Sequence, residues 1–272
     1  MSDNRPIGIF DSGLGGLTVV KEITKLLPNE DIIYFGDTGR VPYGTKGDET
    51  IRKYALQDEK FLVLKGVKMI VAACGTVSSV APDTAKDLKV PFIEVISHSV
   101  NAATAATKNK KIGILATPAT INSGAHKRKI LSVMPDAEVV ESAAALLVSL
   151  VEEGWVSAED PTVNEITRRY LEPMINSGVD TVILGCTHFP VLADVVQKIM
   201  GDGVKLINMG CETAKAVYEA LKTSGSLCDN KEAGNHSFFV SDRPQSFKKT
   251  AAVLLDEEID DKKVTQVDIN SL

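Results

Sequence analysis

Short apolar runs rich in β-branched residues alternate with longer segments of helical periodicity along this 272-residue chain. Apolar strands that alternate with helices are typical of parallel sheets covered by helices. The pattern therefore predicts an α/β fold with mainly parallel sheets. Nine segments are predicted as strands: 7–10, 31–36, 67–73, 92–95, 111–116, 137–142, 181–184, 204–207 and 237–241. Helical periodicity is evident at 16–27, 47–65, 78–88 and 122–133.

Two strand ends of the first half of the chain recur in the second half. The run IGIFDS at 7–12 resembles IGILAT at 112–117, and MIVAACGT at 69–76 resembles TVILGCTH at 181–188. The pairs occur in the same order, 105 and 112 residues apart. This favours two similar α/β units over a chance likeness of strand ends. The portion 208–272 must pack against one of them, and its strand at 237–241 could extend the first sheet. The polar last dozen residues are expected to fray.

Two of the four cysteines, Cys74 and Cys186, come directly after the carboxyl end of a predicted strand. Ligands of open α/β sheets bind outside these strand ends, so two such sheets would bring both cysteines to a shared cleft. A following helix N-terminus lowers the pKa of a thiol and can hold a carboxylate. Each half thus offers a potential base. The alternative is a pair of buried structural thiols, the commoner fate of cysteine.

Other polar residues near these strand ends allow two interpretations each. Asp11 either faces the cleft or caps the next helix. His188 lies two residues from Cys186 and is either its partner or a structural histidine. Glu152 could belong to a solvated helix face. The glycine-rich run at 13–16 has neither the dinucleotide-binding nor the Walker spacing, which argues against a phosphate loop.

Composition and charge exclude several classes of protein. The net charge is −6 with no basic run, which argues against a nucleic-acid partner. No signal peptide or membrane-spanning stretch is evident, so a cytoplasmic protein with no membrane partner is expected. The cysteines form no C-x-x-C pair and no zinc spacing, so we expect free thiols and no metal site. Cys211, Cys228, His98, His126 and His236 lack a comparable context.

Six segments together resemble the aspartate/glutamate racemase family, and within it the bacterial glutamate racemases, in order and in spacing. They lie at 8–18, 37–44, 73–76, 151–154, 184–190 and 237–242. The resemblance covers nearly the whole chain. It implies cofactor-independent interconversion of L- and D-glutamate, with D-glutamate supplied for peptidoglycan. It also implies two α/β domains, 1–98 plus 208–272 and 99–207, with the active site between them. A homodimer stays open, because no sequence feature marks an interface.

The resemblance also implies roles for individual residues. Cys74 and Cys186 would be the two acid/base groups, with Asp11 assisting Cys74 and with His188 and Glu152 assisting Cys186. The substrate, a small amino acid, would be contacted by Asp11, Ser12, Tyr43, Gly44, Gly75, Thr76, Thr117, Thr120, Thr187 and His188.

The chemistry of racemisation suits two thiols. The α-hydrogen of an amino acid is a very weak acid, and no pyridoxal motif is evident to delocalise a carbanion. The enzyme must therefore hold a base on one face of the α-carbon and an acid on the other. A thiol pKa of about 8.5 can be tuned toward neutrality. Hydrogen-bond donors must stabilise the developing enolate.

Three positions depart from the family pattern. Gly75 stands where the family usually has asparagine, so only its N–H remains to hold a substrate. The run SAAALL at 142–147 replaces a common Cys-Pro-containing run, and Asn208 stands where an acid is common.

Three further functions stay open. Gly75 leaves open a racemase for aspartate or another amino acid. A weakly active regulatory protein would be expected to have lost one cysteine, and both are present. A thiol hydrolase needs a single nucleophilic cysteine and leaves one of the two motifs unexplained.

Overall fold

The computed structural model describes residues 2–256 and 259–271 and contains strands and helices in regular alternation. The strands are β1 (Ile7–Asp11), β2 (Ile32–Gly36), β3 (Met69–Ala72), β4 (Phe92–Glu94), β5 (Lys111–Ala116), β6 (Glu138–Ala143), β7 (Thr181–Leu184), β8 (Lys205–Asn208), β9 (His236–Val240) and β10 (Val264–Gln266). The helices are α1 (Leu17–Leu26), α2 (Asp48–Leu64), α3 (Gly75–Val80), α4 (Val95–Ala106), α5 (Pro118–Ser123), α6 (Ala125–Val133), α7 (Ala145–Glu152), α8 (Pro161–Ser177), α9 (Ala193–Met200), α10 (Met209–Ser224) and α11 (Pro244–Leu255).

The strands form two sheets in which every pairing is parallel. The first sheet has the order β10-β9-β2-β1-β3-β4, and the second has the order β6-β5-β7-β8. The predicted fold class, α/β with parallel sheets, is confirmed. The nine predicted strands are all present, with ends within two residues of the prediction. β9 extends the first sheet through its pairing with β2.

Three local predictions are wrong for identifiable reasons. The helix predicted at 78–88 is split at Ala81 into α3 and a 3₁₀ turn, Pro82–Asp87, because proline interrupts helical hydrogen bonding. The helix predicted at 122–133 is two helices, because Gly124 adopts a left-handed conformation with φ 63°. The tail predicted to fray contains β10, which pairs with β9.

Successive residues of the central strand β1 serve the two faces of the first sheet. Ile9 packs into a hydrophobic cluster that continues into the second sheet through Ile114 and Val182. Phe10 points the other way, into a separate cluster with Phe35. The strand period of two explains this division. The two sheets are thus joined by one continuous core, which fixes how their strand ends face each other.

A buried ion pair ties four distant segments together at the amino ends of β2 and β3 in the first sheet. The Lys68 ammonium lies 2.5 Å from Oε2 of Glu30, and both side chains are buried. Lys68 also donates to the carbonyl oxygens of Asp3, at 2.6 Å, and Ser226, at 2.9 Å. Oε1 of Glu30 accepts from the backbone N–H of Cys228. Without Glu30, the Lys68 ammonium would keep its two carbonyl acceptors. Without Lys68, the Glu30 carboxylate would lose its ion partner. Glu30 therefore depends on Lys68 more than Lys68 depends on Glu30.

No helix in the described ranges is both long enough and apolar enough to cross a lipid bilayer.

Removal of the Lys68 charge should destabilise the protein strongly. Lys68→Met leaves a buried carboxylate without its ion partner, which costs about 3–5 kcal/mol. Glu30→Gln should cost less, because the ammonium retains its two carbonyl acceptors. The measurement is the free energy of unfolding from urea titration. Arg169→Met breaks an exposed ion pair with Glu165 and is the control, with an expected loss below about 0.5 kcal/mol. If Lys68→Met lost no more free energy of unfolding than Glu30→Gln, the stronger dependence of Glu30 on Lys68 would be contradicted.

Candidate active site

The carboxyl ends of both sheets surround one cavity of about 320 Å³. Twelve residues singled out in the sequence line it: Ser12, Tyr43, Gly44, Cys74, Gly75, Thr76, Thr117, Thr120, Glu152, Cys186, Thr187 and His188. Asp11 is buried behind the lining residues. The cavity therefore brings together residues from both halves of the chain that are far apart in sequence.

Cys74 forms one side of the cavity. It follows β3 and is the N-cap residue of α3, with 4 % of its surface exposed. Its thiol donates to Oγ of Ser12 at 3.5 Å. The sequence predicted a lowered thiol pKa at this helix start. That prediction is wrong, because burial and the nearby charge of Asp11 raise the pKa of Cys74 to about 12. The Cys74 thiol therefore holds its proton at neutral pH.

Asp11 lies directly behind this thiol at the end of β1. One carboxylate oxygen accepts from the backbone N–H of Gly13 at 3.1 Å, and the other is buried without a hydrogen-bond partner. Burial raises the pKa of Asp11, while the charge of His188 opposes the shift. Asp11 does not cap α1, which begins at Leu17 after Gly16 with no side-chain cap. Its carboxyl group is therefore available to interact with groups in the cavity wall.

Cys186 lines the same cavity from the end of β7 in the second sheet, together with a histidine and a carboxylate. Its sulfur lies 3.7 Å from Nδ1 of His188, and Nε2 of His188 lies 3.1 Å from Oε1 of Glu152. Burial alone would lower the pKa of His188, but the contacts with Cys186 and Glu152 outweigh it and raise this pKa to about 10. His188 is therefore an imidazolium at neutral pH, placed beside the second thiol.

Glu152 reaches His188 from the last turn of α7, and the same helix supplies wall residues that sequence analysis missed. Ala145, Val148 and Ser149 also line the cavity. Val148, Ser149 and Glu152 lie three, four and seven residues after Ala145, so the four residues share one face of the helix. This spacing in the sequence could have predicted that these residues share the cavity wall. The remaining missed lining residues are Gly13, Val41, Pro42, Thr45, Pro118 and Gly185.

A chain of hydroxyl groups crosses the cavity between the two halves. Oγ1 of Thr76 lies 3.2 Å from Oγ1 of Thr117, which lies 3.0 Å from Oγ1 of Thr120. Thr117 is the N-cap residue of α5, and its oxygen accepts from the N–H of Thr120. Among the lining residues that the structure describes, no lysine or arginine occurs. An anionic ligand would therefore be held by hydroxyl and N–H groups and by the imidazolium of His188.

Tyr43 lines the cavity, but its hydroxyl group is engaged in a buried network. The hydroxyl contacts carboxylate oxygens of Asp37 and, at 3.1 Å, Asp58. Arg40 bridges the same two carboxyl groups at 2.5 and 3.2 Å. A phenol donates only one proton, and burial together with the charge of Asp37 raises the pKa of Asp58 well above its usual value. The Tyr43 hydroxyl is therefore shared between two buried carboxyl groups, one of which has a raised pKa, and this network holds the loop that carries Gly44.

The described residues contain no group of three or more histidine, cysteine, aspartate or glutamate side chains arranged to hold a metal ion. Two thiols line the cavity, and each lies near a different ionisable partner.

Comparison with known proteins finds consistent matches over most of the chain. The family model of the Asp/Glu/hydantoin racemases matches residues 7–218. The chain is 45% identical to a glutamate racemase of Geobacter metallireducens over 244 residues, which cover 89% of this chain and 90% of the relative. It is 44% identical to the enzyme of Neisseria meningitidis over 250 residues, with 90% of each chain covered.

Solved structures agree as well. The crystal structure of glutamate racemase from Francisella tularensis in complex with D-glutamate superposes with a TM-score of 0.91, at 39% identity, and covers 99% of this chain and 100% of that one. With its two parallel sheets and its paired cysteine motifs, the chain belongs to the Asp/Glu/hydantoin racemase family.

Proposed function

We propose that this protein racemises glutamate, interconverting the L and D forms by proton transfer between the α-carbon and two thiols, without a cofactor. The observation that carries the proposal is that Cys74 and Cys186 line one cavity from the strand ends of two different sheets. Groups on opposite walls can address opposite faces of one carbon atom. Similarity to glutamate racemases over about nine-tenths of the chain supports glutamate as the substrate.

In the proposed reaction the two thiols play opposite roles in each direction. One thiolate removes the α-proton from one face, and the protonated thiol opposite delivers its own proton to the other face. Inversion of the α-carbon follows, and the protonation states of the two cysteines are exchanged. Cys74 starts as the acid in the resting enzyme, because burial and Asp11 raise its pKa. The imidazolium of His188 beside Cys186 gives the other wall its positive charge.

Substrate binding is proposed for the N–H and hydroxyl groups that line the cavity at the strand ends. Hydroxyl groups of Thr76, Thr117 and Thr120 and backbone N–H groups near Gly44, Gly75 and Thr187 would hold the carboxylates. Hydrogen bonds that strengthen as the enolate develops would accelerate proton removal. The relative from Francisella tularensis was solved with D-glutamate, which supports a small amino-acid ligand here. Tyr43 would contribute its ring and backbone, since its hydroxyl is occupied.

The division of the chain follows from the same proposal. We assign residues 1–98 and 208–272 to one domain, around the first sheet, and residues 99–207 to the other. The return of β9 and β10 to the first sheet supports this assignment. The product would be D-glutamate for peptidoglycan, made in the cytoplasm.

Each cysteine should be required for racemisation. Cys74→Ala and Cys186→Ala each remove one of the two proton-transfer groups, so kcat should fall by at least about 10²-fold. The measurement is the change in optical rotation of L- and D-glutamate in deuterated water, with mass spectrometry of deuterium at the α-carbon. Wild-type protein should incorporate solvent deuterium without an added cofactor.

Cys211→Ala is the matched control, because Cys211 is only half-buried and lies outside the cavity. Full activity of either Cys74→Ala or Cys186→Ala would disprove the two-thiol mechanism. L-Aspartate run in parallel tests the substrate, since turnover of aspartate without turnover of glutamate would reassign the activity.

The Glu152 carboxylate should set the alkaline limit of the reaction. The pKa of His188 is raised to about 10, so the imidazolium is present at neutral pH and is lost as the pH rises through that value. Glu152→Gln removes one of the groups that raise this pKa. The alkaline limb of the pH profile of kcat/KM should therefore move to lower pH. Glu153→Gln, an identical charge change at the next residue, should leave the profile in place. Overlapping profiles for Glu152→Gln and wild type would disprove the role.

A further inference from the structure

The two halves of the molecule touch between the catalytic cysteines, at a pair of glycines. Gly75 directly follows Cys74, and Gly185 directly precedes Cys186. A Cβ atom built on Gly75 would lie 2.9 Å from the carbonyl oxygen of Gly185. Real Cβ atoms essentially never approach another heavy atom that closely. The obstacle is a backbone carbonyl, which cannot rotate away as the end of a flexible side chain can.

Two further glycines repeat this relationship. A Cβ atom on Gly44 would lie 3.1 Å from Cβ of Thr117, and one on Gly15 would lie 2.2 Å from Oγ1 of Thr187. Gly15, Gly44 and Gly75 follow β1, β2 and β3 of the first sheet, whereas their neighbours follow β5 and β7 of the second. At each of these three close approaches, the residue of the first half carries no side chain.

Backbone conformation does not explain glycine at these positions. None of the three adopts the left-handed conformation, which in this chain is confined to other glycines and three non-glycine residues among those described. Gly75 opens α3, and alanine is the better helix former by about 1 kcal/mol. The space available across the cavity is therefore the remaining physical reason for glycine at position 75.

Two hydrogen bonds pull the same surfaces together. Oγ1 of Thr18 donates to the carbonyl oxygen of Thr187 at 2.8 Å, and Oγ1 of Thr76 lies 3.2 Å from Oγ1 of Thr117. The halves are thus held in direct contact on both sides of the Gly75–Gly185 approach. A side chain at Gly75 would oppose both hydrogen bonds.

We propose that Gly75 is a positioning residue whose missing side chain sets the distance between the two cysteine-bearing walls. Rather than weakening the site, the loss of the asparagine usual at this position lets the backbones beside Cys74 and Cys186 approach until both thiols reach one α-carbon. The proposal rests on the proposed two-thiol function. Proton transfer is sensitive to this separation, because a misplacement of about 1 Å can cost 10²-fold in rate.

The test compares Gly75→Ala and Gly75→Asn with Gly47→Ala. A Cβ atom on Gly47 meets nothing within 4 Å, so that variant controls for the general effect of replacing glycine on the unfolded chain. We expect kcat to fall by about 10- to 100-fold in both Gly75 variants, with a smaller change in KM, and to stay within about twofold in Gly47→Ala. Thermal unfolding is measured for all three.

Alkylation of the two thiols by iodoacetamide, followed by peptide mass spectrometry, reports the spacing without any substrate. Cys74 and Cys186 are 4 % and 6 % exposed, so they should react slowly in wild type and in Gly47→Ala. A widened cavity should raise both rates in Gly75→Ala, including that of Cys186 on the opposite wall. A side chain that merely obstructed the cavity would slow alkylation and raise KM.

Three results would overturn the proposal. The first is alkylation of Gly75→Ala at the wild-type rate, and the second is slower alkylation with a raised KM. The third is a kcat for Gly75→Asn equal to or above that of wild type. If Gly75→Ala does not fold, Gly44→Ala takes its place under the same criteria, with a smaller expected effect because its Cβ would meet a side chain. Failure of wild type to racemise glutamate would refute the proposed function, while the alkylation series would still decide the spacing.

Discussion

The contact between the carboxyl ends of two parallel sheets is the constraint on which the site depends. Every strand of a parallel sheet ends at the same edge, so Cys74 after β3 and Cys186 after β7 each lie at the carboxyl edge of a sheet. The continuous core through Ile9, Ile114 and Val182 then holds those two edges against each other. The cavity is a consequence of packing between the sheets, and neither sheet would form it alone.

The two buried thiols have different ionisable neighbours, and this difference matters for the proposed chemistry. Cys74 lies in front of a buried carboxyl group, which disfavours its thiolate. Cys186 lies beside the imidazole of His188, whose pKa is raised by its contacts with Cys186 and Glu152 against the effect of burial. A symmetric pair of strand ends has thus acquired an asymmetric electrostatic environment. Two-base chemistry needs one protonated and one ionised group at a time, and this asymmetry separates the two states.

Buried polar networks hold the loops whose conformation the strands do not determine. Beside the cavity, one guanidinium and one phenol hydroxyl bridge two buried carboxyl groups in the network of Asp37, Arg40, Tyr43 and Asp58. Lys68 and Glu30 form a buried ion pair at the amino ends of β2 and β3. Breaking such a pair leaves a buried charge without its partner. These few contacts therefore contribute more to stability than the many surface ion pairs.

The sequence by itself determined the fold class, all nine predicted strands and the two cysteine motifs, because strand periodicity and the residues that follow strand ends are local properties. It also singled out twelve residues that line the cavity. Sequence analysis missed the helix breaks at Ala81 and Gly124 and the contribution of α7, although proline, glycine and helical spacing are local signals for them. It also missed strand β10, which depends on pairing with β9. Tertiary structure alone decided that the Cys74 pKa rises rather than falls, since burial and Asp11 outweigh a short helix N-terminus. It also decided what Gly75 faces, because the carbonyl of Gly185 belongs to the residue that follows β7, more than a hundred residues away in the sequence.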